Sequence, residues 1–346
     1  MHMGDALLSP AVSAVMTAAA AGAIAYSAVR VKKESDSEPG DSGDRKIPVM
    51  GVMGAFVFAA QMINFTIPAT GSSGHIGGGV LLAAMLGPSA AFLTLAAVLV
   101  IQCLFFADGG ILALGCNIFN MGFFACFIAY PLIFKPMARS GGAKSVTAAS
   151  VAAVVVGLEL GAFSVVVETL ASGVTELPFV TFVTLMLPIH LAIGAIEGVI
   201  TAAVLCFVLQ MRPDLLDFAP PPQGSLRGAM SFKKTLLALL AIAALVGGGL
   251  SLYASGNPDG LEWSMERTAG TAELERTGGA YETAAEIQET TAFMPDYDFK
   301  SSGGDGSALG TSAAGLTGGA LTLALACAVG AVLTFSKKRG EKDARA

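Results

Sequence analysis

The chain has 346 residues, of which 54% are apolar and only 13% charged, with 42 glycines and a mean hydropathy of +0.69. Soluble domains carry roughly 25% charged residues, so the composition excludes an ordinary soluble globule and points to lipid as the solvent. The net charge of −6 says little by itself, and no cluster of basic and aromatic residues suggests a nucleic-acid partner.

The chain opens with a chelating group. A side chain as large as His2 keeps the initiator residue in place, so a free α-amine is expected at Met1. That amine, the His2 amide nitrogen and the His2 imidazole Nδ1 can close fused rings around one ion and hold three nitrogens in a plane. Planar nitrogen sites suit Ni(II) and Cu(II), and imidazole also serves Co(II). The chain holds three histidines, and His75, in a Gly/Ser-rich stretch, is the expected fourth ligand. Asp5 lies where a secretory signal would place basic residues, so the first apolar stretch is expected to be a retained helix.

Apolar stretches follow at 7–29, 47–63, 75–86, 90–106, 111–134, 146–169, 184–209, 235–254 and 316–335. A bilayer core of roughly 30 Å needs about 20 helical residues. Most stretches qualify; the third is short and Gly-rich, hence tilted, broken or buried among its neighbours. The expected fold is all-α, a polytopic membrane bundle of about seven helices with a two-helix C-terminal module. Residues 1–210 read as the bundle, 211–234 as a Pro-rich inner linker, and 235–346 as the C-terminal module. Its outer loop, 255–314, carries eleven acidic residues. That loop is either solvated and disordered, or a cap that attracts cations to the bundle.

Of the 20 basic residues, all but Arg267, Arg276 and Lys300 fall in loops that share one side. This asymmetry places the N-terminus outside and the C-terminus in the cytoplasm, across the inner (plasma) membrane.

Polar residues inside or beside the apolar stretches are candidates for orienting ligands or pairing helices. Asn64 belongs with the outer loop that carries His75, and Ser73 could hold an imidazole tautomer or cap a helix. Asp108 opens a DGG turn and reads first as a helix cap. Asn117 and Asn120 lie on one helical face and read as a helix-joining pair. His190 and Glu197, seven apart, share a face, where a polar interhelical contact is favoured over ligation. Glu159 and Glu168 need partners in the same way. Ala14, Ala18 and Gly22 form a small-residue stripe, for packing within the bundle or for docking onto a partner. Five cysteines in apolar stretches lack CxxC spacing and suggest neither disulfides nor a thiolate cage. GxxxxGK[ST] and HExxH motifs are absent, so ATP hydrolysis by a P-loop and helix-borne zinc chemistry are not expected.

The segments NFTIPATGSSGHIGGGVLLAAMLGP and LFFADGGILALGCNIFNMGFFA, with MHMGDALLSP and HLAIGAIEGVIT, resemble the CbiM/NikM family. NPDGLEW at 257–263 resembles the small CbiN/NikN subunit, so the whole resembles a fused protein of both kinds. The resemblance implies a substrate-capture subunit of an energy-coupling factor transporter for cobalt or nickel. It implies metal held by Met1, His2 and His75, and partners that comprise a transmembrane coupling subunit and separate ATPase subunits. It implies no organic cofactor and no catalytic residue of the chain's own. The family's commoner opening has Ile-Pro-Asp-Gly where this chain has Met3-Gly4-Asp5-Ala6; the chelating atoms lie ahead of that difference. A planar nitrogen set leans toward nickel. The rival readings are a stand-alone cation channel or secondary transporter, for which Glu159, Glu168 and Glu197 are sparse, and an intramembrane enzyme, for which no nucleophile–base pair is visible.

Overall fold

In a computed structural model, residues 1–37, 42–175, 177–219, 230–272, 274–300 and 307–343 are described. Part of the expected linker (220–229, with Arg227) and Arg345 of the basic tail lie outside them. Residues 1–8 form an extended lead-in with a 3-10 turn at Asp5–Leu7. Helix α1 (Pro10–Ser37) begins at Pro10, where a missing N–H costs nothing, and Ser9 Oγ accepts the Val12 N–H at 3.4 Å. After α2 (Ser42–Gln61) comes a small hairpin of β1 (Phe65–Ile67) and β2 (Ser72–Gly74), antiparallel with Thr66 opposite Ser73. Then follow α3 (Gly79–Leu86), α4 (Pro88–Phe106), α5 (Leu114–Ser140), α6 (Ala143–Ser172) and α7 (Phe179–Met211). Within α5 the stretch Phe119–Phe134 is wound as a π-helix.

Among the described residues, six helices are long and apolar enough to cross a membrane: α1, α4, α5, α6, α7 and the last helix over Ala308–Leu333. The protein is thus a multi-pass, all-α membrane protein. The stretch at 75–86 yields only the eight residues of α3, every one buried. It nevertheless carries the chain between the two ends of the bundle, from Gly78 beside the hairpin to Leu86, near Asp217, whose N–H donates to Ala84 O at 2.8 Å. A short, broken crossing is tolerable because protein, not lipid, surrounds it. Helix α4 is buried along nearly its whole length, as expected of a helix apolar on all sides. By contrast, α1 exposes Val15, Tyr26 and Val29. Ala14, Ala18 and Gly22 are exposed too, so that stripe does not pack inside this chain.

The C-terminal module supplies α8 (Phe232–Gly248), α9 (Gly260–Ala269), α10 (Ala280–Thr291) and α11 (Ala308–Asp343). Helices α8 and α11 cover α2, while α9 lies on α7 and α10 on α4. Where it is described, the acidic loop is therefore folded, and α9 and α10 rest on the bundle. Of the two readings of this loop, the disordered one fails there, because its apolar residues Leu261, Met265, Ala284 and Met294 are buried.

Candidate metal centre

The lead-in is inserted into the bundle by hydrogen bonds that need no regular element. The Met3 N–H donates to Asn117 Oδ1 at 2.8 Å, and Asn117 Nδ2 returns a bond to Met3 O at 3.2 Å. The Gly110 N–H also donates to Met3 O, at 2.9 Å, and the Ala113 N–H donates to Asp5 Oδ1 at 2.9 Å. Gly110 must be glycine for this approach: a Cβ there would lie 1.8 Å from Asp5 Oδ1. From the other side, Tyr281 OH donates to Leu8 O at 2.7 Å and Arg276 Nε to Ala6 O at 3.3 Å. Met1 and Met3 end up 6% and 0% exposed. Buried backbone groups demand such partners, and here both modules provide them.

This insertion brings the expected nitrogen donors together. The His2 ring stacks on His75, with centroids 5.3 Å apart and planes 20° from parallel. His75 Nδ1 lies 3.0 Å from Ile76 O. A carbonyl only accepts, so Nδ1 carries the proton and Nε2 keeps the lone pair that a metal needs. His2 Nδ1 is 3.2 Å from Asp108 Oδ1, and His2 Nε2 is buried without a hydrogen-bond partner. The other Asp108 oxygen accepts from Tyr297 OH. The Met1 ammonium forms an ion pair with Asp259 Oδ2.

Asp259 can do this because its other oxygen is already used. Oδ1 accepts the Leu261 and Glu262 N–H groups at 2.8 and 2.9 Å, and Glu262 Oε2 accepts the Asp259 N–H at 2.9 Å. This capping box starts α9 and fixes the carboxylate in space. The electrostatics follow from burial. Desolvation lowers the pKa of His2, and it lowers that of His75 to about 4, helped by the Met1 ammonium. Burial also works to raise Asp259, but the Met1 ammonium outweighs it and holds the carboxyl well below its usual range. Burial, and then Asp108, push Tyr297 well above an ordinary phenol.

The remaining candidates sit around this centre in distinct roles. Ser73 does not hold an imidazole: its Oγ donates to Asn257 O at 2.7 Å and its N–H to Pro258 O at 2.8 Å, tying the His75 loop to the start of α9. Asn64 lies in the same outer region, where its carbonyl accepts the Ser255 N–H at 2.7 Å. Asp108 caps no helix, since α5 starts beyond it without a side-chain cap; its carboxylate is instead shared by His2 and Tyr297. Asn120 donates to Glu168 Oε2 at 2.8 Å, joining α5 to α6. His190 makes no interhelical hydrogen bond: Nδ1 meets Met186 O of its own helix at 2.7 Å, and Nε2 is buried without a partner. Glu197 Oε1 accepts the Gly78 N–H at 2.9 Å, bracing the loop that follows His75. A small cavity bordered by Met1, His75, His190 and Asp259 lies at the centre of this arrangement. Among the described residues, no group of three or more His, Cys, Asp or Glu side chains is arranged to hold a metal.

Asp259 and Tyr297 were not foreseen as site residues. The Asp259-x-x-Glu262 spacing announces a helix start, but nothing local links it to a terminus 258 positions away.

Residues 2–215 match the family model CbiM, the cobalt uptake substrate-specific transmembrane region, and residues 233–335 match the PDGLE domain. The chain belongs to the CbiM family. A protein of Archaeoglobus fulgidus, provisionally named as the fused nickel transport protein NikMN, is 32% identical over 95% of this chain and 98% of its own length. A cobalt transport protein CbiM of Geobacter sulfurreducens is 29% identical over 70% of each chain. A crystal structure of a truncated transition metal transporter superposes with a TM-score of 0.51 at 32% identity, covering 61% of this chain and 99% of that one. In this CbiM-family chain, the matched PDGLE segment supplies Asp259.

Proposed function

We propose that this protein is the substrate-binding subunit of an energy-coupling factor importer, capturing Ni(II) or Co(II) on the outer side of the inner (plasma) membrane. The ligands are the Met1 amine, the His2 amide and imidazole Nδ1, and His75. The observation that carries this reading is a buried amino end held beside two stacked imidazoles. The relatives named for nickel or cobalt transport support the choice of cargo.

The metal-free geometry suggests how loading proceeds. The amine and the His2 Nδ1 are each engaged by a carboxylate, Asp259 and Asp108. An arriving dication takes the place of one ammonium proton and the amide proton, which leave to solvent, and His2 Nδ1 exchanges Asp108 for the ion as its proton moves to Nε2. The total charge of the site is thereby unchanged, and the two carboxylates go on balancing the positive charge that the ammonium carried before. Amide deprotonation favours late transition ions over Mg(II) and Ca(II), which prefer oxygen. Ni(II) accepts a square plane readily, so it is the favoured cargo.

Residues 1–210 act as the capturing bundle, 211–234 as the linker and 235–346 as a cap whose acidic loop draws cations in. With no P-loop of its own, the chain depends on partner ATPase subunits acting through a transmembrane coupling subunit. The exposed Ala14, Ala18 and Gly22 offer that subunit a close docking surface.

The test is a variant with one extra residue ahead of Met1. It moves the amine away and leaves every imidazole in place. Calorimetric titration should show that tight Ni(II) binding disappears; unchanged affinity would refute the chelate.

A further inference from the structure

The last turns of α4 place Gln102 beside the His2 ring. Its amide bears on that ring as a hydrogen-bond acceptor does, favouring a protonated nitrogen. The same residue fixes Asp108, whose N–H donates to Gln102 O at 3.1 Å. Two groups that face the His2 imidazole are thus set by one helix end.

A chain of bonds that begins at the His75 loop forces the orientation of the Gln102 amide. Gln61, the last residue of α2, donates from Nε2 to Gly77 O at 3.0 Å. A carbonyl only accepts, so Gln61 turns its Oε1 toward Gln102 and accepts from Gln102 Nε2 at 2.9 Å. Oε1 of Gln102 is the atom left over, and it has no hydrogen-bond partner. Gln61 and Gln102 are 5% and 1% exposed, and turning either amide round would leave further buried groups unpaired.

The ring opposite is in a matching condition. With Nδ1–H directed at the Asp108 carboxylate, His2 Nε2 carries a lone pair, and it too is buried without a partner. Two acceptors then face each other, and neither can donate. A metal at Nδ1 reverses this. One proton leaves Nδ1 and one settles on Nε2, the ring stays neutral, and the new N–H meets an oxygen already aimed at it. The mismatch belongs to the empty site and disappears in the loaded one, so relieving it adds to affinity.

We infer that Gln102 is a positioning residue for metal capture: its Oε1 accepts the Nε2–H of His2 and holds the ring in the tautomer whose Nδ1 lone pair faces the ion. Gln61 and the Gly77 carbonyl hold Gln102 in turn, and so tie the His2 tautomer to the loop that carries His75. This inference rests on the proposed role of Met1, His2 and His75 in capture, and its test separates the two.

The probe is Ni(II), whose square-planar nitrogen complexes are diamagnetic and leave nuclear magnetic resonance signals sharp. It is added to the full-length protein carrying isotope-labelled histidine, whose three rings keep the spectrum assignable. Ni(II) should shift His2 Nδ1 strongly and produce a downfield Nε2–H with an Overhauser contact to the Gln102 side chain. Gln102→Met keeps the side-chain length and removes the acceptor; it should weaken Ni(II) binding at least about tenfold in calorimetry and move the Nε2–H signal upfield. Gln102→Glu restores an oxygen and should recover most of the lost affinity. The Nε2–H signal is the readout that a merely structural Gln102 would not move. A His2 Nδ1 indifferent to Ni(II) sinks the chelate, and this role with it. A shifted Nδ1 with no Nε2–H contact to Gln102, or a Gln102→Met protein that binds Ni(II) as tightly with an unmoved Nε2–H, overturns the role of Gln102 and leaves the chelate standing. Should Gln102→Met not fold, the Overhauser contact in the unmodified protein decides alone.

Discussion

At the scale of residues, two histidines near the centre, half-buried His75 and fully buried His190, are expected to behave differently. His75 presents Nε2 beside His2, so His75→Ala should weaken Ni(II) binding at least about 100-fold, the upper end of what lost ligand support costs. His190→Ala should leave the stoichiometry intact, because that ring is bonded to its own helix. Calorimetry on both variants separates them; equal losses would count against His75 as the ligand. The pH dependence has a definite sign. The folded chain holds the His75 pKa at about 4 against 6.5 for a free imidazole, so the unfolded chain binds more protons between those values. Stability is therefore complete above about pH 6.5 and declines as pH falls toward 4, by at most about 3 kcal/mol from this ring. Melting of the metal-free protein should drop between pH 7 and 5, and His75→Gln should flatten that slope. Asp259, held low, adds its loss only in more acid solution. That Met1, His2 and His75 belong together was legible from chelate chemistry and from a three-histidine inventory, and the structure does bring them side by side. Asp108 was a candidate read first as a helix cap, and Asp259 was not seen at all, since both meet the terminus only through tertiary contacts that no spacing records.

At the scale of elements, hydropathy located the long helices well because a spanning helix needs little except length and apolar composition. The short crossing is broken and buried, as its length and glycines suggested, and where it breaks is physically instructive. The apolar run at 75–86 looks like a helix from its first residue, yet His75–Gly78 stay irregular so that Gly78 can donate to Glu197 and His75 can face His2. The folded outer loop was harder to read: the capping box marks the start of α9, but the packing of α9 and α10 on the bundle, from which short helices draw most of their stability, leaves no local signal. The pairing of the two long helices of the C-terminal module also depends on glycine. A Cβ on Gly315 of α11 would lie 2.1 Å from Gly247 O of α8. Gly315→Ala should force these helices apart and destabilise the protein by about 1–3 kcal/mol, the usual cost of overpacking. Thermal melting in detergent measures this, and an unchanged midpoint would show that the helices separate freely.

At the scale of the whole molecule, the two matched segments form one site. Asp259, Tyr297, Tyr281 and Arg276 of the C-terminal module contact Met1, Asp108, Leu8 and Ala6 of the bundle. The acidic loop holds the amino end in place and supplies one of the two carboxylates beside the proposed chelating nitrogens. Deleting residues 226–346 removes these contacts but none of the proposed ligands. The bundle should still fold around α4, α6 and α7, while metal uptake by the assembled transporter falls at least tenfold. Asp259→Asn isolates the electrostatic part, since an amide still caps α9 but no longer pairs with the ammonium or offsets a bound dication. It should reproduce part of the uptake defect without altering the helical content seen by circular dichroism. If the truncated chain imports metal at the full rate, the C-terminal module is only a cover, and the contact between Asp259 and Met1 has no part in loading.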